Sequence, residues 1–508
     1  MNRKSFLKLV MLSSFSLVAP HLEIINPYNV KESSSKPNIL ILLFDAWSAR
    51  NISLYGYERE TTPNLQKLAQ KATVYHNHHS AANFTGPSTV SLLTGVYPWT
   101  HHGFQGFTGA PSEYINRNLF SSLQGYTRMA YSQNPLANRS IFQMSQHIED
   151  LTIPQDTAII DNTLADDLFR KDYEIAYNTE LELLGDKPND IANSLLTFLI
   201  RGYLGMQRDL KVLTKIRDEL PRGPIEIGHM KFILEDTIDW AVQKLAALGK
   251  PFFSYLHFFP PHDPYNPRAD FIGRFDDDGW KSVEKPKHQL NDGYSQEYLD
   301  RERAIYDAYI AYVDAEIGRM FDLMEKAEIL DNTIVVLTSD HGEMFERGIF
   351  RHQTITLYEP VIHIPLMIFE PGQTTRRDVY TNTSTLDLLP TIAHWAGNEI
   401  PNWGEGELLP PYHPNPSSLV RRPIFAMDSR SGGRLRPPDK ATFAMIQENF
   451  KLIHYYGHRG VLKNKLELYD LDSDPEEMID LFTNNKRQAR QMRKELFLRI
   501  EEAGSIYQ

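Results

Sequence analysis

The chain has 508 residues, enough for one large core and a smaller unit, and a net charge of −12. Acidic residues outnumber basic ones and no long basic block occurs, which argues against a nucleic-acid partner; an anionic substrate would need local positive charge of the kind a metal supplies. Cysteine is absent, which excludes disulfides, thiolate metal sites and cysteine nucleophiles.

A basic start (Arg3, Lys4, Lys8) precedes an apolar run from Leu9 to Ala19. The run is too short to span a bilayer but suits the apolar part of an export signal. Residues 1–36 therefore read as signal and linker, and the protein as periplasmic or extracellular; the alternative is a frayed apolar N-terminus on a cytoplasmic protein. No other stretch reads as membrane-spanning: Leu195 to Leu204 is short and broken by Arg201.

Asn38 to Phe44 is apolar without polar alternation, as expected of a parallel strand buried on both faces. Similar runs recur at Thr127 to Tyr131, Phe252 to Phe258, Thr333 to Leu337 and Ile362 to Phe369, with helical patterns between them, including Pro63 to Ala72 and Ile305 to Ala327. The alternation predicts an α/β fold around a mostly parallel sheet flanked by helices. A mostly helical insertion over about 138–249 would roof the site. A smaller α+β subdomain is expected over 419–508, ending in a helix from Lys486 to Glu502.

In open α/β sheets ligands bind beyond the carboxyl ends of the strands. Those ends deliver Asp45, then Asn134, then His257 and His262, then Ser339, Asp340 and His341. Hard oxygens with one imidazole suit a single divalent ion: Mg²⁺, Ca²⁺, Mn²⁺ or Zn²⁺. Between the first two strand ends lies Asn83-Phe84-Thr85-Gly86-Pro87-Ser88, where Pro87 suits a helix start and Gly95 its stop. Thr85 then sits at a helix N-terminus, which favours an anion. Its hydroxyl could equally be a plain N-cap.

This segment resembles the sulfatase signature through Pro87, Ser88, Leu92, Thr94 and Gly95. Five further stretches resemble the same family in the same order: Tyr55 to Asn64, His257 to Tyr265, Ser339 to Glu343, Leu357 to Leu366, and Leu468 to Leu471 with Asp474-Pro475. The chain is thus similar to the sulfatase family of the alkaline phosphatase superfamily from about Pro37 to Leu481. The resemblance implies an alkaline phosphatase-like fold over 37–418 and a metal held by Asp45, Thr85, Asp340 and His341.

Departures from the family refine the expectation. Thr85 stands where hydrolytic sulfatases carry the cysteine or serine that becomes formylglycine, so that modification is not expected. Threonine there is the pattern of relatives acting on phosphorus. Ala46 replaces a second metal-binding aspartate, Thr89 an arginine, and Asn134 is the nearest substitute for a missing lysine. The resemblance gives His262 the role of protonating the leaving oxygen and places His352 on the substrate's oxyanion. His257, Asn134, Thr89 and His102 are candidate substrate contacts, while His76, His78 and His79 read as surface.

The expected activity is hydrolysis of a phosphate diester, phosphonate or sulfate ester through a covalent Thr85 intermediate. The substrate would be a small molecule or a glycan or lipid ester. A transferase passing the phosphoryl-linked group to an alcohol is the second reading, although the membrane transferases with this motif carry several N-terminal spans. A binding protein on a decayed scaffold is the third, with retention of the ligand set against it.

Overall fold

The computed structural model describes residues 36–505 apart from 105–108, 162–209, 430–437 and positions 211, 229, 439, 459 and 463. The expected export segment therefore lies outside the described residues, as does the middle of the expected insertion. In chain order the elements that build the site are β1 (Asn38–Phe44), α1 (Pro63–Leu68), β2 (Thr73–Tyr75), α2 (Thr85–Thr94), β3 (Thr127–Ser132), α3 (Pro135–Gln143) and β4 (Asp150–Leu151). There follow α4 (Leu234–Ala247), β5 (Phe252–Phe258), α5 (Gln296–Lys326), β6 (Thr333–Thr338), β7 (Leu366–Phe369), β8 (Arg377–Val379) and α6 (Leu388–Trp395).

Eight strands form one sheet in the order β8-β2-β7-β6-β1-β5-β3-β4. Only β7 runs against the rest: it is antiparallel to both β6 and β2, while β6, β1, β5, β3 and β4 pair in parallel. Side-chain alternation splits β1 between two cores. Leu40, Leu42 and Phe44 pack with Tyr306, Ile310 and Val313 of α5 and Ile238 of α4. Ile39, Ile41 and Leu43 face Val90, Leu92 and Leu93 of α2 and Leu388 of α6. Burial on both faces is why the strand reads as an unbroken apolar run.

Three expected elements change. The run Ile362 to Phe369 is a strand only from Leu366; Glu359–Ile362 is a short helix that ends before Pro365, a residue that cannot donate to a ladder. The stretch 138–249 is less helical than expected where described. After α3 it contains short strands at Ile160–Asp161, Ile225–Ile227 and Met230–Phe232, which form a small sheet of their own, before α4 joins the main core. Pro63 to Ala72 divides into α1 and a 3-10 turn at Ala69–Lys71. Among the described residues no helix is long and apolar enough to cross a membrane.

A separate antiparallel sheet follows: β9 (Ile424–Asp428), β10 (Ala441–Gln447), β11 (Phe450–Tyr456) and β12 (Lys465–Asp470), with helix α7 (Lys486–Ser505). One face packs on Met492 and Leu496 of α7 together with Trp99. The other covers Met344, Leu357, Tyr358 and Ile362. Residues from Pro37 onward form one compact unit, so this sheet buttresses the segment that carries His352.

α1 is tied to α5 by an unusual cap. Thr62 occupies the N-cap position without a side-chain bond, and Asp314 of α5 instead accepts from Asn64 N and Nδ2 and Leu65 N at 2.8–2.9 Å. Burial pushes the Asp314 carboxyl up to about 6 against the pull of those N–H donors. A raised acid contributes stability below its unfolded value of 3.8 that is lost as pH rises through the folded one. Asp314→Asn should therefore gain on the parent, by about 1–3 kcal/mol, between pH 4 and pH 6.5 in denaturant melts. A stability difference flat across that range would refute it.

Candidate active site

The parallel register brings the strand ends level. Leu43 pairs with both Thr338 and His257, Phe44 with Phe258, and Ser132 with His257. The next residues therefore emerge side by side: Asp45 after β1, Ser339 and Asp340 after β6, and Asn134 shortly after β3. Asp45 N donates to Phe258 O at 3.0 Å, fixing the first turn beyond the strand.

The loop after β1 is clamped. Trp47 N donates to Ser339 Oγ at 2.9 Å, while Tyr306 donates its hydroxyl to Ala46 O at 2.6 Å and accepts from Ser48 N. Ala46 adopts φ +57°, a left-handed conformation that is strained for a residue with a Cβ. That turn aims its N–H at Asp340 Oδ1, 3.1 Å away. Gly342 is required by close approach: a Cβ there would lie 2.2 Å from Pro360 O.

Asp45, Asp340 and His341 are fully or almost fully buried, and each of the two aspartates presents one bare oxygen. Asp45 Oδ2 accepts from Asn134 Nδ2 at 2.6 Å and from His257 Nε2 at 3.1 Å, whereas its Oδ1 has no hydrogen-bond partner. Asp340 Oδ1 accepts from Ala46 N and His341 N, whereas its Oδ2 has none. His341 Nδ1 donates to Gly342 O at 3.0 Å, which leaves the lone pair on Nε2. Nε2 lies 3.5 Å from Asp45 Oδ1 and 3.6 Å from Asp340 Oδ2. The three residues offer ligand atoms within 4.8 Å of one another.

Buried carboxylate oxygens without donors are costly unless a cation meets them. The donor set, two hard oxygens and an imidazole with its second nitrogen fixed by a carbonyl, fits one divalent ion. Burial pushes the Asp45 carboxyl up, but the rings of His262, His257 and His341 outweigh it and hold it at about 2.

Thr85 lies in the first turn of α2, with Phe84 in the N-cap position and no side-chain cap, so the N-capping alternative does not describe it. Its Oγ1 is 3.2 Å from His341 Nε2 and accepts from Asn134 Nδ2 at 3.1 Å. Asn134 caps α3 through Oδ1, bonded to Leu136 N at 2.8 Å, which turns its amide nitrogen toward Asp45 and Thr85. Asn83 donates to Thr354 O and Thr356 O, tying the approach to α2 to the segment around His352.

Three histidine rings wall the cluster. The His352 ring lies tilted 4.4 Å from His341 and 4.8 Å from His262 between centroids. His262, half-buried, donates Nδ1–H to Asp263 O at 2.6 Å and packs on Phe259. His352 Nδ1 lies 3.0 Å from Glu343 Oε1. Burial, with Asp263 and Asp45 nearby, pushes the Glu343 carboxyl well above the usual range.

The structure thus joins Asp45, Thr85, Asn134, His257, Asp340 and His341 in one hydrogen-bonded cluster, with His262 and His352 against it. It does not bring in His102, whose ring stacks on Phe104, nor Thr89, fully buried one turn further along α2. His257 is fully buried on Asp45, a place that suits support of that carboxylate rather than a substrate contact. The expectation that His78 and His79 are surface residues fails. Both are buried, His78 on Thr383 Oγ1 and His79 on Glu359 and the His363 ring, because partners distant in sequence cover them. Sequence reasoning missed Glu343 and Tyr255; Tyr255 was discoverable, since it stands two residues before His257 on the same strand face.

The sequence profile described as Sulfatase matches residues 37–398. The chain belongs to the sulfatase family. A second profile, described as N-sulphoglucosamine sulphohydrolase, C-terminal, matches residues 346–504. Among its relatives, a choline-sulfatase of Rhizobium meliloti (strain 1021) is 24% identical, over 89% of this chain and 83% of that one. The multifunctional alkaline phosphatase superfamily protein PehA of Trinickia caryophylli is 23% identical, over 88% and 91%. A phosphonate monoester hydrolase from Silicibacter pomeroyi shares the fold with a TM-score of 0.64 at 20% identity, over 92% of this sulfatase-family chain and 96% of that one. The chain is an ester hydrolase acting on sulfuric or phosphoric esters.

Chelator-treated protein should take up one divalent ion per chain by calorimetry, and free metal at 100 times Kd should stabilise it by about 2.7 kcal/mol. Asp340→Ala should lose that uptake while keeping its circular dichroism. Two tightly held ions per chain would refute a single centre.

Proposed function

We propose that the chain hydrolyses a phosphate diester, phosphonate or sulfate ester with unmodified Thr85 as nucleophile. The observation that carries this reading is the position of Thr85 Oγ1: at a helix N-terminus without a side-chain cap, 3.2 Å from His341 Nε2 and 3.1 Å from Asn134 Nδ2. A divalent ion bound by Asp45, Asp340 and His341 would supply positive charge that eases loss of the Thr85 proton and neutralises the ester. Thr85 Oγ forms a bond to the phosphorus or sulfur as the bond to the leaving oxygen breaks, and the Thr85 proton passes to solvent. Free N–H groups at the start of α2 favour the anionic group being attacked.

His262 is suited to the other end of the bond. With Nδ1–H held by the Asp263 carbonyl, its protonated ring presents Nε2–H to the leaving oxygen, and the neutral ring then accepts a proton from the water that cleaves the enzyme ester. His352, packed against His341 and held by Glu343, is suited to face an ester oxygen. A phosphorus ester is the preferred substrate, because a sulfated threonine lacks the hemiacetal route by which formylglycine enzymes expel sulfate. The resemblance to both a phosphonate monoester hydrolase and a choline-sulfatase supports small esters as the first ones to assay.

Thr85→Ala should fold like the parent and lose several orders of magnitude in turnover, while Thr85→Ser keeps measurable activity. Rapid quenching with a slow phosphodiester should add the phosphoryl mass to the peptide containing Thr85. Near-parent turnover by Thr85→Ala would make water the nucleophile. Export belongs to the same reading: residues 1–36 fused to a reporter should carry it out of the cytoplasm, and a wholly cytoplasmic reporter would refute this.

A further inference from the structure

Asp45 depends on two residues that stand one pleat apart on β5. Tyr255 and His257 project to the same face of the sheet, both fully buried. The Tyr255 hydroxyl lies 3.1 Å from His257 Nδ1, and His257 Nε2 lies 3.1 Å from Asp45 Oδ2. An ionised carboxylate only accepts, so Nε2 must carry the hydrogen. In the neutral ring Nδ1 then holds the lone pair, and the phenol must donate to it. Burial pushes the Tyr255 phenol well above its usual range and so keeps the proton on the donor.

We infer that Tyr255 and His257 are positioning residues for the metal centre, acting through Asp45. Tyr255 fixes the His257 tautomer; His257, together with Asn134, occupies Asp45 Oδ2; and Oδ1 is left as the one atom that meets the ion. Rotation of the carboxylate would sacrifice two buried hydrogen bonds, so its single-oxygen approach is set before any ion arrives. Outer partners of this kind govern affinity because they orient a ligand without touching the ion. The inference rests on the metal reading of Asp45, Asp340 and His341, and it gives His257 a role other than substrate contact.

The test is calorimetric titration of the chelator-treated full chain with the tightest binder among Mg²⁺, Ca²⁺, Mn²⁺ and Zn²⁺. His257→Ala should weaken Kd by about 10–100-fold, and His257→Gln, which keeps a donor for Oδ2, should recover most of that loss. Tyr255→Phe should weaken Kd by about 10-fold in the parent and leave it unchanged in the His257→Ala background, because the phenol acts only through the imidazole. A merely structural tyrosine would weaken binding equally in both backgrounds, and that result overturns the inference. So does a parent that binds metal while every variant matches its Kd. A parent that takes up no divalent ion at all removes the metal reading and this inference with it.

Discussion

Two buried carboxylates, Asp45 and Asp340, share one space, and the rest of the molecule is arranged around that fact. Asp45 and Asp340 each have one oxygen supplied with N–H donors and one with none, and the bare oxygens converge on His341 Nε2, which also meets the Thr85 hydroxyl. Charges buried this way repel in a low dielectric unless a cation meets them, so the surrounding fold must hold them together against that repulsion. The sheet register sets where the two aspartates begin. The Tyr306 hydroxyl and Ser339 then hold the loop after β1 so that a strained Ala46 can direct its N–H at Asp340. Ala46 thus contributes a backbone donor and no charge, leaving Asp45 and Asp340 as the carboxylates of the candidate centre.

Asn134 links this cluster to Thr85. Its oxygen is committed to capping α3, so its amide must present nitrogen to Asp45 and Thr85, and the orientation is decided by hydrogen bonding within the fold. The histidine wall completes the other side, with His262 edge-on and His352 tilted against His341. Imidazole and amide groups therefore stand beside Thr85 despite an acidic chain, so local arrangement rather than net charge decides what meets its hydroxyl.

Much of this was legible from residues. Buried parallel strands have no polar face, so β1 and β6 announced themselves as apolar runs and β3 and β5 as mostly apolar ones, and the residues just beyond them supplied the candidate ligand set. The same signal erred at Ile362, since a short buried helix before a proline is as apolar as a strand. Composition could not show that His78 and His79 are interior, because Thr383, Glu359 and His363 cover them from more than two hundred residues away. Tyr255 was hidden for a different reason: in a run of buried aromatics a phenol reads as core until its hydroxyl is seen to have a partner.

The C-terminal sheet is usually the first part of such a chain that an engineer would trim, since its sequence carries none of the ligands. Here its inner face, through Ile424, Ala426, Ile453 and Tyr455, is the wall on which Met344, Leu357, Tyr358 and Ile362 rest. Those residues bracket Glu343, His352 and the backbone carbonyls that hold Asn83. Cutting it away would expose a greasy surface to solvent and loosen the scaffold beneath the histidine wall in one stroke. The minimal catalytic unit of this protein is therefore a two-sheet body, and shuffling domains among its relatives must move both sheets together.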